Sequence, residues 1–129
     1  MAQDKIRGFE RRSDCPLSCT LDIIGDKWSL LIIRDMLAFG KSTYNEFLNS
    51  DEKISTNILN DRLIKLTELG LISHSGPAKR KKYELTKMGL DLRPILQAVG
   101  AFGMKYFEDT REYAKIQLAT KAKSGPPVT

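Results

Sequence analysis

A leucine-spaced helix that leads into a hairpin with a cationic tip constrains the fold of this chain most. Residues 55–69 read as the helix, and Gly70 ends it. Leucines recur along one face of it at Leu59, Leu63 and Leu66. Residues 71–74 and 82–85 read as two short strands. The turn between them carries four consecutive cations, Lys79, Arg80, Lys81 and Lys82. This order predicts a winged helix-turn-helix, in which a helix enters the major groove of a duplex and the hairpin tip contacts phosphates.

Apolar periodicity predicts further helices on both sides of this unit. These helices span residues 16–24, 27–38, 43–49, 87–93 and 94–116. Asp26 is expected to cap the second of them, and Thr43 with Glu46 forms a capping-box pattern for the third. The predicted fold class is therefore mainly α with a small β-hairpin (α+β), with an extra N-terminal helix and a long C-terminal helix around the winged helix-turn-helix.

The last predicted helix carries more apolar surface than the core of one small domain needs. Its apolar residues are Ile95, Leu96, Val99, Phe102, Met104, Tyr106 and Phe107. We interpret part of this surface as a dimer interface. The alternative is that the same residues pack within one chain.

The positive charge of the chain is concentrated in two segments. The net charge is +5, while residues 79–82 alone carry +4 and the tail from Lys115 onward carries +3. A polyanionic partner accounts for this asymmetry better than a solubility requirement does. The alternative is a solvated turn and a solvated tail.

The length of 129 residues predicts one structural domain. Residues 1–13 are expected to form a flexible N-terminal arm, residues 14–117 the winged helix-turn-helix domain with its dimerisation helices, and residues 118–129 a disordered basic tail. No apolar stretch approaches the roughly 18 residues of a bilayer span, and the N-terminus has no apolar signal core. We therefore expect a cytoplasmic location without a membrane partner.

Residues suited to catalysis or metal binding are few. Cys15, Cys19 and the one histidine, His74, fall short of the about four ligands of a structural zinc site. The sequence contains none of the glycine-rich phosphate-binding, nucleophile-elbow or metalloprotease motifs. We therefore expect no enzyme activity, no metal and no cofactor.

Short motifs in a fixed order run from residue 15 to about residue 107. They are Cys15-Pro16, the segment from Gly25-Asp26-Lys27-Trp28 to Arg34-Asp35, Tyr44-Asn45-Glu46-Phe47, Ile54-Ser55, the three leucines of the helix, Gly70-Leu71-Ile72, Tyr83-Glu84-Leu85-Thr86, Gly89 and Leu92-Arg93-Pro94. In this order and spacing, the chain resembles the HxlR-type family of bacterial winged helix-turn-helix transcriptional regulators. The resemblance implies a homodimer formed through the N-terminal and C-terminal helices. It also implies that two recognition helices read an inverted repeat in double-stranded DNA and regulate nearby genes.

The resemblance also bears on the signal that such a regulator receives. Some members of the family sense oxidants or electrophiles through an N-terminal cysteine, which corresponds to Cys15. The second, later cysteine of that mechanism is absent, because no cysteine follows Cys19. Sensing would therefore use a bond from Cys15 to the partner's Cys15 or the partner's Cys19, or a simple thiol modification. Two alternatives stay open: Cys15 as a small buried residue at a helix start, and a small-molecule effector bound near the last helix.

The residues predicted to contact DNA lie in three places. On the recognition helix they are Ser55, Thr56, Asn57, Asn60, Asp61, Arg62 and Lys65. In the wing they are Lys79, Arg80, Lys81 and Lys82, and elsewhere Lys27, Ser42 and Thr43 are expected to contact phosphates. Asn57 and Asn60 are the leading candidates for base contacts, because asparagine pairs bidentately with adenine. Asp61 would accept a hydrogen bond from cytosine but would repel phosphates. The alternatives are a plain amphipathic surface helix and a winged-helix module that binds protein and not DNA.

Overall fold

The computed structural model describes residues 5–110 and confirms the predicted fold class. Its elements in chain order are α1 (Pro16–Ile24), α2 (Ser29–Phe39), α3 (Tyr44–Leu48), α4 (Thr56–Glu68), β1 (Ile72–Ser75), β2 (Lys82–Leu85), α5 (Lys87–Leu90) and α6 (Arg93–Tyr106). The predicted disordered tail at 118–129 lies outside the described residues. None of the described helices combines the length and apolarity that a bilayer crossing needs.

The start of α2 and the end of α6 differ from the predicted bounds. The Asp26 carboxylate accepts hydrogen bonds from the backbone N–H groups of Trp28 and Ser29, so a turn occupies the first two residues of the predicted helix. The prediction of one last helix through residue 116 was wrong, because α6 ends at Tyr106 and Asp109 has a φ of 69°. Gly100 and Gly103 weaken this helix. The remainder, 111–116, lies outside the described residues.

The predicted leucine face of α4 is the centre of the core. Leu59, Leu63 and Leu66 are at most 2% exposed. They pack in one cluster with residues of α1, α2 and α3 and with the hairpin and the residue before it: Ile23, Ile24, Ile32, Ile33, Phe47, Leu71, Ile72 and Tyr83. Because this face is buried, the opposite face of α4 is directed away from the core.

The wing is a two-stranded antiparallel hairpin whose register pairs Ile72 with Leu85 and Ser75 with Lys82. Gly70, with a φ of 84°, turns the chain from α4 into β1. The backbone N–H of Tyr83 donates to the carbonyl of Ser42 over 2.7 Å. This bond fixes the hairpin against the segment before α3. The wing is therefore attached to the helices here as well as through the turn at Gly70.

Truncating Leu63 to alanine tests the role of the leucine face. The change leaves a cavity at a side chain that is 2% exposed, and we expect the free energy of unfolding to fall by about 2–5 kcal/mol. Urea unfolding followed by circular dichroism measures it.

The matched control is Ile64→Ala on the same helix, because Ile64 is 52% exposed. We expect that variant to change the free energy of unfolding by less than about 1 kcal/mol. Equal losses in the two variants would contradict the proposed orientation of α4.

Candidate nucleic-acid interface

The exposed face of α4 carries the asparagines that the sequence singled out. Ser55 caps the helix, since its hydroxyl accepts from the backbone N–H of Ile58 over 3.2 Å. Thr56, Asn57 and Asn60 are exposed. Asn57 and Asn60 lie within one turn of each other at the N-terminal half of the helix, which is the part of a recognition helix that contacts base edges.

Arg62 takes part in an ion-pair cluster instead of extending outward. Its guanidinium lies 2.5 Å from the Asp61 carboxylate and 3.4 Å from that of Asp26, and its side chain is only 19% exposed. The contact with Asp61 raises the pKa of Arg62. Two carboxylates therefore already engage Arg62 in the chain without DNA. The contact of Arg62 with DNA stays a prediction.

The same cluster connects α4 to the turn between α1 and α2. Burial of Asp26 would raise its pKa, but hydrogen bonds from Ser29 and Trp28 and the charge of Arg62 outweigh it and lower the pKa. Asp26 is therefore a charged residue held by both elements. Asp61 is exposed on α4, and its charge is partly balanced by Arg62.

The hairpin tip presents its cations to solvent. Lys79, Arg80 and Lys82 are exposed, and Lys81 is half-buried. The tip is closed by the backbone N–H of Arg80, which donates to the carbonyl of Pro77 over 2.8 Å, and by Gly76 at a φ of 89°. This short turn holds four adjacent positive charges at one end of the wing.

The residues expected to contact phosphates outside α4 and the wing differ in their surroundings. Lys27 is exposed, with its ammonium 5.2 Å from the centre of the Trp28 ring. At the start of α3 the Glu46 carboxylate accepts from the backbone N–H groups of Ser42 and Thr43, and these bonds lower the pKa of Glu46. The Thr43 hydroxyl caps the helix in the predicted capping box. Glu46 thus already accepts hydrogen bonds from the backbone N–H groups that a phosphate at Ser42 and Thr43 would need.

A buried acidic residue fixes the turn that leads into α4. Asp35 is 2% exposed. One of its carboxylate oxygens accepts from the guanidinium of Arg34 over 2.7 Å, and the other accepts from the Ser50 hydroxyl. Arg34 also holds Glu52 through two bonds of 2.8 Å each. The C-terminal half of α2 thereby anchors the segment between α3 and α4, while the Tyr44 hydroxyl donates to the carbonyl of Thr56 over 3.1 Å.

The candidate redox residue lies at the surface. Cys15 is exposed at the N-cap position of α1, so the alternative of a small buried residue at this helix start was wrong. The Cys19 thiol is half-buried and donates to the carbonyl of Ser13 over 3.2 Å. Oxidant sensing through Cys15 stays a prediction.

The contacts of the N-terminal segment were not predicted from the sequence. Phe9 is half-buried and packs against the core. Arg12 lies 2.6 Å from Asp22 of α1. The aromatic residue within a charged segment was the signal available, because such a side chain gains free energy by packing on a neighbouring apolar surface.

Comparisons with known proteins agree with this geometry. The family model of HxlR-like helix-turn-helix proteins matches residues 23–111. The uncharacterized HTH-type transcriptional regulator YdeP of Bacillus subtilis is 31% identical over 123 residues, which is 90% of this chain and 93% of that protein. The chain belongs to the HxlR-like family of helix-turn-helix transcriptional regulators.

Two solved structures show the same fold. PA1607, a candidate transcription factor, is 32% identical with a TM-score of 0.66, and the match covers 92% of this chain and 82% of that one. The redox regulator HypR in its oxidized form is 28% identical with a TM-score of 0.62, covering 73% of this chain and 99% of that one. Family membership makes this chain a DNA-binding transcriptional regulator.

The contact between Arg34 and Glu52 predicts a pH-dependent stability. Hydrogen bonds from Arg34 lower the pKa of Glu52 below its ordinary value of 4.5. The charged carboxylate therefore stabilises the fold above about pH 4.5, and this contribution is lost as the pH falls through the lowered pKa of the folded state. We expect Glu52→Gln to reduce the free energy of unfolding at pH 7 by about 1 kcal/mol, after allowance for the partial exposure of the pair.

Urea unfolding of the wild type and of this variant between pH 7 and pH 3 measures the effect. The difference should shrink as the pH falls. Glu84→Gln, at an exposed position of β2, is the control and should show little difference at any pH. A difference for Glu52→Gln that persists undiminished at pH 3 would contradict the assigned role of the ion pair.

Proposed function

We propose that this protein is a homodimeric regulator that reads an inverted-repeat operator with α4 and holds it with the wing. One observation carries the proposal: the exposed asparagine face of α4 and the cationic tip of the wing are attached to the same core. Major-groove base edges are read by such side chains, and phosphates are neutralised by such cations. Binding would therefore have a sequence-dependent part from α4 and a salt-dependent part from the wing.

The proposed division of roles follows from the surroundings of each residue. Asn57 and Asn60 are exposed and chemically suited to adenine. The wing residues 79–82 contribute only positive charge, which attracts the phosphates of every DNA sequence equally. Lys27 is proposed as a further phosphate contact because it is exposed and lies beside the turn that Asp26 connects to α4.

The proposed dimer interface consists of α1 and α6. No residue of α6 is buried within the chain, although the helix is largely apolar. Val99, Phe102 and Tyr106 are 57–63% exposed on it, and Leu17 and Leu21 of α1 are 68% and 49% exposed. Exposed apolar surface of this kind marks a protein–protein contact. A second copy of the chain is the proposed partner of this surface, and in such a dimer two copies of α4 would contact one duplex.

Separate alanine variants of α4 and of the wing test the division of roles. Asn57→Ala should cost about 1–3 kcal/mol of discrimination at one base position, because it removes a base-edge contact. Arg80→Ala should weaken binding to all duplexes and lower the salt slope by about 0.9 per protomer, because it removes one phosphate contact. Fluorescence anisotropy with duplexes selected from a random library, and with a scrambled duplex, measures both at two or more salt concentrations.

Each variant is the control for the other, since both remove an exposed side chain of the interface. Equal weakening of all duplexes by both variants would contradict the division of roles. Failure of the wild-type protein to prefer any selected duplex, even at low salt, would contradict sequence-specific binding and leave a protein-binding module.

A charge within the apolar surface of α6 tests the dimer. Phe102→Asp places a carboxylate in the proposed interface, and we expect the dimer dissociation constant to rise at least about tenfold, which corresponds to 1.4 kcal/mol. Sedimentation equilibrium measures it. Ile64→Asp, on the exposed face of α4, is the control and should sediment as the wild type does. A Phe102→Asp variant that also sediments as the wild type would place the interface elsewhere.

A further inference from the structure

The described part of the N-terminal arm, residues 5–13, lies along the junction of α1 and α4. Phe9 packs against the core as its anchor. On one side of Phe9 the arm faces α1, where it borders Cys19, Thr20 and Ile23. On the other side it borders α4 across a groove of about 580 Å³. The groove is lined by Arg7, Gly8, Phe9, Asp61, Ile64, Lys65, Glu68 and Leu69. The arm therefore flanks the outward face of the helix that is proposed to read DNA.

The cations of the arm fall into two groups. Arg11 lies 3.1 Å from Asp14, and Arg12 lies 2.6 Å from Asp22 of α1, so a carboxylate pairs with each of them. Lys5 and Arg7 are exposed, and within residues 5–110 neither has an ion-pair partner. Arg7 is thus an exposed cation without a carboxylate contact on the α4 side of the arm.

The groove next to Arg7 has little net negative charge to attract it. Of its two acidic residues, Asp61 is paired with Arg62 at 2.5 Å. The other, Glu68, shares the groove with the cation Lys65. A phosphate that approached Arg7 would therefore meet at least as much positive as negative charge.

The dimensions of a duplex determine what lies beside a helix in the major groove. The groove is about 12 Å wide, and a helix with its side chains is about 10–12 Å across. The two phosphate backbones therefore border the helix on both sides. Arg7, which borders the exposed face of α4 across the groove, would then lie near one of these backbones.

We propose that the N-terminal arm is part of the DNA interface and that Arg7 contacts a phosphate at the edge of the major groove that receives α4. This inference rests on the proposed function. It adds a contact, independent of base sequence, from a segment outside the winged unit. Arg11 has the same chemistry in the same segment, but it faces α1 and Asp14 and makes no such contact.

The test compares Arg7→Ala with the matched control Arg11→Ala. Anisotropy titrations of the full-length protein against a selected duplex and a scrambled duplex, at several salt concentrations, give the salt slope of each variant. Removing one phosphate contact should lower the slope by about 0.9 per protomer and weaken binding to both duplexes by the same factor. Arg7→Lys should restore the slope, because it keeps the charge. Arg11→Ala should bind as the wild type does.

Three results would overturn the proposal: an unchanged slope in Arg7→Ala, an equal fall of the slope in Arg11→Ala, or a loss of base discrimination in place of uniform weakening. Thermal unfolding of each variant without DNA shows whether a loss of binding comes from a loss of folding. Failure of the arm proposal is distinct from failure of the proposed function. In the first case the wild type still selects a duplex and Asn57→Ala still loses discrimination, whereas in the second the wild type selects none.

Discussion

Burial of one face of α4 by leucines is the constraint on which the rest of the interface depends. Leu59, Leu63 and Leu66 are almost fully removed from solvent and contact the helices and the hairpin around them. Burying three such side chains contributes about 1.5–3 kcal/mol each relative to leaving them exposed. Any rotation of α4 that turned Asn57 or Asn60 inward would expose these leucines. The same interactions that stabilise the fold therefore determine which polar side chains α4 exposes to solvent.

Polar contacts then fix the elements on either side of α4. Arg34 and the buried Asp35 hold the turn that enters the helix, and the bond from Tyr83 to Ser42 holds the wing that follows it. Burying Asp35 is tolerated because both of its carboxylate oxygens accept hydrogen bonds. The helix α4 and the wing are consequently parts of one unit. A protein held in this way approaches DNA with little further ordering, which lowers the entropic cost of binding.

Local patterns in the sequence predicted much of this architecture. The leucine spacing, the capping box at Thr43 and Glu46, and the cationic turn each depend on residues close together in the chain, so they are readable without the fold. The contact of Arg62 with Asp26 could not be predicted from the sequence, because the two residues meet only after the helices pack. The position of the arm could not be predicted from the sequence either. The end of α6 was also missed, since apolar residues continue to Phe107 although the backbone leaves the helix there. Arg34 and the buried Asp35 stood in the sequence only at the end of a family motif, and their contacts with Glu52 and Ser50, which are distant in the chain, were not predicted.

The most direct test of the account is a footprint of the wild-type protein on the duplex that it selects from a random library. A homodimer that reads an inverted repeat should protect two half-sites with the same sequence in opposite orientation, centred about 34–36 Å apart along the helix axis or at a multiple of that spacing. Hydroxyl-radical cleavage should show protection of the phosphates beside each half-site, where the wings are expected to lie. A single unrepeated half-site would contradict the dimeric reading of DNA. Protection without any sequence preference would contradict the role assigned to the asparagine face of α4.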